Sequence, residues 1–172
     1  MITTSFTLTE KELYKSLVEI SKSKFVVKML RIIGIFLFSI MILVTTINII
    51  NDNFVISSGF IFPLVLNLSM IFVSEITARL QVPSLLKTKN RFTENMLVEV
   101  DSKKISINGE SFNIQMSLEK LHSIIGTKDF FLLKVSDGSA NVIPKRALAG
   151  GDIMIFRNIV SSVVGLKTKL KK

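Results

Sequence analysis

Two apolar stretches without a charged residue, Ile32 to Ile50 and Phe54 to Val73, stand back to back with only Asn51, Asp52 and Asn53 between them. At ~1.5 Å of rise per helical residue each reaches roughly 28–30 Å, about the hydrocarbon thickness of a bilayer. A short polar turn between two such runs predicts a helical hairpin in a membrane, with spans over 32–50 and 54–73. The first run is longer than a secretory hydrophobic region and begins after thirty mostly polar residues, so it is expected to remain uncleaved.

Charge placement predicts which side the ends face. Lys11, Lys15, Lys22, Lys24, Lys28 and Arg31 precede the first run, Arg79, Lys87, Lys89 and Arg91 follow the second, and the turn carries neither Lys nor Arg. By the positive-inside rule both termini are expected in the cytoplasm. A mean hydropathy of +0.51 reflects this central third, since both ends read as soluble. The organisation expected is therefore an N-terminal cytoplasmic segment (1–31), the two spans, a juxtamembrane linker (74–90) and a cytoplasmic domain (91–172).

Polar–apolar alternation from Ser5 predicts an N-terminal strand with Phe6 and Leu8 on its buried face. Thr9 with Glu12 fits the S/T-x-x-E capping box, and Leu13, Leu17 and Ile20 recur at helical spacing, so an amphipathic helix should follow at once. Within the second run, Pro63 and Asn67 read as the kink and the polar glue of the hairpin, with Asn48 or Thr45 as partner for the Asn67 amide. Glu75 and Arg79, one turn apart, are expected to pair.

Beyond Val82-Pro83-Ser84 the pattern becomes a meander: Met96 to Val100, Ile105 to Ile107, Ser111 to Met116, Leu121 to Ile125, Phe130 to Val135 and Ala140 to Ile143, separated by turn residues. The N-terminal strand would make a seventh. After Gly150-Gly151, residues Ile153, Phe156, Val160, Val163 and Val164 fall at helical spacing, with Asp152 at the start and Lys167, Lys169, Lys171 and Lys172 at the end, as the helix dipole favours. The fold class expected is a membrane α+β protein, a transmembrane hairpin followed by a small pleckstrin-homology-like (PH-like) β-barrel or sandwich closed by a C-terminal helix.

This architecture, together with Asn141-Val142-Ile143-Pro144-Lys145-Arg146-Ala147-Leu148 ahead of the last helix, resembles the YcxB-like family of bacterial membrane proteins. The resemblance implies a fold and a place in the bacterial cytoplasmic membrane, and it brings no catalytic residues. At its strand-to-helix junction Pro144 would end strand pairing and leave Lys145 and Arg146 pointing outward.

Chemistry-bearing patterns are sparse. There is no cysteine and a single histidine, His122, so thiolate sites and sites needing two imidazoles are excluded, and His122 is expected to be structural. Phosphate-loop, dinucleotide and zincin motifs are absent, and no cofactor or metal is expected. Although the net charge is +9, the chain has no Trp and one Tyr, which argues against a nucleic-acid platform. Anionic lipid of the inner leaflet is the nearer polyanion, with Lys87, Lys89, Arg91, Lys145 and Arg146 as candidate lipid or partner contacts. The function expected is a non-enzymatic membrane protein whose cytoplasmic domain binds a protein partner or the lipid surface. The alternatives are an immunity protein against a membrane-active or contact-delivered toxin and, from a third class, a lipid-acting membrane enzyme.

Overall fold

The computed structural model describes residues 1–52, 58–87 and 91–170. The chain opens with β1 (Ile2–Phe6), whose inward face buries Ile2 and Phe6, and Leu8 continues into the same core. Thr9 then caps α1 (Glu10–Ser23): its hydroxyl accepts from the Glu12 amide at 3.3 Å, and the Glu12 carboxylate accepts from the Thr9 amide at 3.0 Å. The capping box thus sets the turn from strand to helix.

Two four-stranded sheets form the C-terminal domain among the described residues. One has the order β1-β2-β3-β4 with β2 (Met96–Val100), β3 (Lys104–Asn108) and β4 (Asn113–Ser117), all antiparallel. The other has the order β7-β6-β5-β8 with β5 (Ser123–Gly126), β6 (Phe130–Lys134), β7 (Ala140–Pro144) and β8 (Thr168–Leu170), where β8 runs parallel to β5. Val98, Val100, Ile105 and Ile107 of the first sheet share one core with Ile124, Phe131, Leu133 and Ile143 of the second. Among the described residues no strand of one sheet pairs with a strand of the other, so the arrangement is a sandwich and the barrel expected as one option does not close.

Helix α5 (Asp152–Ser162) seals the core with Phe156 and Val160, both fully buried, and the Phe156 ring lies 4.6 Å from that of Phe131. It is shorter than its apolar spacing suggests. Val163 caps it, Val164 is exposed, and its last turn holds no basic residue. Lys167 lies beyond the helix, Lys169 belongs to β8, and Lys171 and Lys172 fall outside the described residues. The chain reverses at Gly165, whose φ of +84° suits a residue without a Cβ, and ends its described part in a strand rather than a helix.

Strand β6 explains how helices and sandwich join. All five of its residues are buried, because Phe131 and Leu133 face the sandwich core while Phe130 and Leu132 face the other way. There they meet Val142 and Ile20 of α1, so α1 covers the outer face of the second sheet. Against α1 packs α4 (Val73–Lys87), burying Ser74, Ala78 and Val82 at four-residue intervals. The stretch expected as a linker is therefore helical up to Lys87, with Pro83 inside it.

Helix α2 (Phe25–Ile50) spans 26 residues, starts about two turns before the expected span and is long and apolar enough to cross a membrane. Its apolar side chains are exposed, Ile32 at 67% and Phe36 at 63%. The second expected span is broken: Asn53 and the run's first residues lie outside the described residues, α3 (Ser58–Ile71) is ~21 Å long, and the chain bends by 72° into α4. Taken together as a bent pair, α3 and α4 pass the same test of length and composition. The bend lies beyond Ile71, past Pro63, which sits within α3.

Helices α2 and α3 meet at Gly34. A Cβ there would lie 2.9 Å from the Met70 Cβ and 3.3 Å from the Asn67 carbonyl oxygen, so only glycine lets the backbones come this close. Asn67 is buried at this crossing. Thr45 and Asn48 lie about 17 and 21 Å further along α2 from Gly34, too far to serve as its partners, and Asn48 is exposed.

Candidate functional site

The polar groups of the molecule gather where α1, the start of α2 and the second sheet meet. Helix α2 opens at Lys24, which supplies no side-chain cap. The missing acceptor comes from the β6–β7 turn instead: the Asp137 carboxylate accepts from the Phe25 amide at 3.0 Å. An acidic group at a helix N-terminus meets both unpaired amides and the positive end of the dipole.

Lys134 completes this clasp. It occupies the α1-facing side of β6, its side chain is 4% exposed, and its Nζ donates to Asp137 Oδ1 at 2.8 Å and to the Ser23 carbonyl at 3.3 Å. One ammonium thus ties the end of α1, the start of α2 and the sheet together. The Lys134 ammonium and the Phe25 amide hold the Asp137 carboxyl below its usual range.

A second clasp fastens the other end of α1. Arg146 donates through Nε and Nη2 to the Glu12 carboxylate and through Nη2 to the Thr7 carbonyl at 2.8 Å. Hydrogen bonding from Arg146 is the main cause that holds the Glu12 carboxyl down to about 2. Lys15 of α1 meets Asp129 at 2.9 Å between these two points. Lys145 lies with its Nζ 5.2 Å from the centre of the Phe131 ring, and burial lowers its pKa. Arg146 is exposed and Lys145 half-buried, and both, expected to point outward, are also engaged by the fold, one over an aromatic face and the other in the α1 clasp.

Where α1 meets α4, Lys22 pairs with Glu75 at 2.7 Å, taking the carboxylate that the sequence had matched to Arg79. The second Glu75 oxygen, the Ser74 hydroxyl and Arg31 Nε are buried without a hydrogen-bond partner among the described residues. Two clefts flank this region. One of about 740 Å³ lies between α1 and α4, lined by Lys11, Tyr14, Arg79, Val82 and Pro83. The other, of about 440 Å³, lies between the α1–α2 junction and the β5–β6 turn, where Lys22, Lys28, Lys128 and Lys169 converge with Glu19.

Among the candidate contacts read from sequence, Lys87 ends α4 and is exposed, whereas Lys89 and the Arg91 side chain lie outside the described residues. Lys87, Lys145 and Arg146 line neither of the two clefts described above. His122 is exposed, and among the described residues no group of three His, Cys, Asp or Glu side chains is placed to hold a metal ion. Sequence reasoning missed Lys134, although a lysine completing an otherwise apolar buried strand was a signal that it had a partner.

No curated protein and no solved structure matches the chain. Residues 100–160, from the end of β2 through β7 and most of α5, match the family described as YcxB-like protein, and the chain thus carries a YcxB-like domain.

Proposed function

We propose that this is a non-enzymatic integral protein of the bacterial cytoplasmic membrane, with a helical hairpin in the bilayer, both termini in the cytoplasm, and a sandwich serving as a PH-like binding module on the anionic inner leaflet. One observation carries the reading: the exposed apolar face of α2 begins within two turns of the amide that Asp137 holds. A sandwich clasped to that point stands about two turns, ~10 Å, from hydrocarbon, within reach of lipid headgroups. The flanking cations support the orientation, and the bent α3–α4 pair supplies the returning segment, with α4 leaving the membrane against α1.

Single cysteines in this cysteine-free chain test the topology. In intact bacteria an impermeant maleimide labels Asn51→Cys and spares Gly138→Cys, whose position is open, until the cells are lysed. Labelling of Gly138→Cys in intact cells refutes the orientation. Recovery of the untreated protein in the soluble fraction refutes the membrane reading altogether.

A further inference from the structure

The cleft of about 440 Å³ has a composition that its neighbours do not explain. Lys22 is paired with Glu75, but Lys28, Lys128 and Lys169 are exposed and have no ion-pair partner among the described residues. Glu19 is the carboxylate lining the cleft, while Asp129 nearby is taken by Lys15 and Asp137 by Lys134. Three ammonium groups from three different elements, α2, the β5–β6 turn and β8, thus face one carboxylate. Bringing them together costs repulsion that a bound anion would relieve. The volume falls within the roughly 300–1,000 Å³ of pockets that receive small organic groups.

Helix α2 says which anion fits. Lys28 reaches the cleft from its first two turns, and Ile32, Ile35 and Phe36, four, seven and eight residues on, continue the same helical face. All three are more than half exposed. Ile32 lies ~6 Å along the axis from Lys28. A phosphate in the cleft would therefore have an apolar track starting about one turn away, which is the arrangement of charge and hydrocarbon in a phospholipid.

We infer that the Lys28–Lys128–Lys169 cleft holds the phosphodiester of an anionic glycerophospholipid whose acyl chains lie along the Ile32–Ile35–Phe36 face of α2. The inference rests on the membrane reading above and assigns that reading a specific lipid site. It differs from general attraction of a basic protein to an acidic leaflet, because three named lysines and not total charge determine retention.

The full chain, purified in a neutral detergent, is titrated with dioleoylphosphatidylglycerol, and bound lipid is counted by native mass spectrometry. Each ammonium near an anionic surface is worth about fivefold in affinity, so K28Q/K128Q/K169Q weakens binding on the order of 100-fold. The charge-matched variant K103Q/K104Q/K120Q, at the far side of the sandwich, retains it, and dioleoylphosphatidylcholine binds neither protein at these concentrations. Circular dichroism confirms that both variants are folded. Equal retention by the cleft variant and the native chain overturns the inference, as does equal loss in both variants. Displacement by millimolar glycerol phosphate or inorganic phosphate as effective as that by the lipid would place a soluble anion there instead and would also overturn it. The cysteine-labelling result is independent of these outcomes, so a wrong site and a wrong topology are told apart.

Discussion

Replacing Lys134 with Met tests the clasp between sandwich and helices most directly. The methionine fills much of the lysine stem's volume without its charge. The Ser23 carbonyl at the end of α1 then loses its side-chain donor, and Asp137 loses the ammonium at 2.8 Å. Leaving a buried carbonyl unpaired costs about 1–3 kcal/mol. The contact with Asp137 adds little, since that carboxylate is half exposed and screened by water. Relief from burying an ammonium works in the opposite direction. The net expectation is a loss of about 1–2 kcal/mol, which for a chain of this size lowers Tm by roughly 2–8 °C. Circular dichroism of the full chain in detergent is the suitable assay, since there is no Trp and one Tyr to report by fluorescence. Hydrogen exchange at the Phe25 amide should quicken in parallel. Lys134 and Asp137 share one interaction, so Lys134→Met combined with Asp137→Asn should cost less than the two single changes added together. A Lys134→Met protein as stable as the native chain would refute the clasp.

Three further outcomes are expected. Gly34→Leu should force α2 and α3 apart against Met70 and cost about 1–3 kcal/mol, while Gly34→Ala costs less because better helix propensity offsets part of the clash; equal Tm values for Gly34→Leu and the native chain would contradict the crossing. Glu12 titrates near 2 in the folded chain against an ordinary 4.5, so the stability it lends is complete above pH 4.5 and disappears as pH falls towards 2. With its Arg146 partner half exposed this amounts to about 1–2 kcal/mol, and Glu12→Gln should flatten the acid limb of a Tm-versus-pH curve. Phe156→Ala empties the contact with Phe131 and should cost about 3–5 kcal/mol, seen as loss of cooperative melting of the sandwich while α2 stays helical.

Much of the sandwich was legible because its strands follow simple patterns. Met96 to Val100 is a short, mostly apolar run that ends at turn residues, and the Thr9–Glu12 cap announces α1 in four residues. What escaped the sequence depends on contacts between distant segments. The three residues of β8 carry lysine inside a basic tail and become a strand only because β5 offers a free edge. Helix α4 hides behind Pro83, and its burial comes from fitting Ser74 and Ala78 against α1 rather than from an apolar stripe of its own. Likewise the stretch from Phe130 to Lys134 reads as a core strand, but nothing local says that its second face belongs to α1. For the candidate site, Lys145 and Arg146 were singled out by their exposed-looking position in sequence. The partner of Lys145, Phe131, lies on the neighbouring strand, and those of Arg146, Glu12 and Thr7, are supplied by a segment far along the chain. The cleft lysines 28, 128 and 169 could not be grouped without the fold.

Because Ile2 to Phe6 pair with Met96 to Val100, the edge of this sheet is closed by segments roughly ninety positions apart. Among the described residues the elements between them are helices, and closing a loop of that length is a slow, entropically opposed step. The helices can form from local contacts, whereas the β1–β2 edge closes only once both distant strands are present. A change that breaks the pairing of β1 with β2 should leave the helices in place and the sheet edge unsealed.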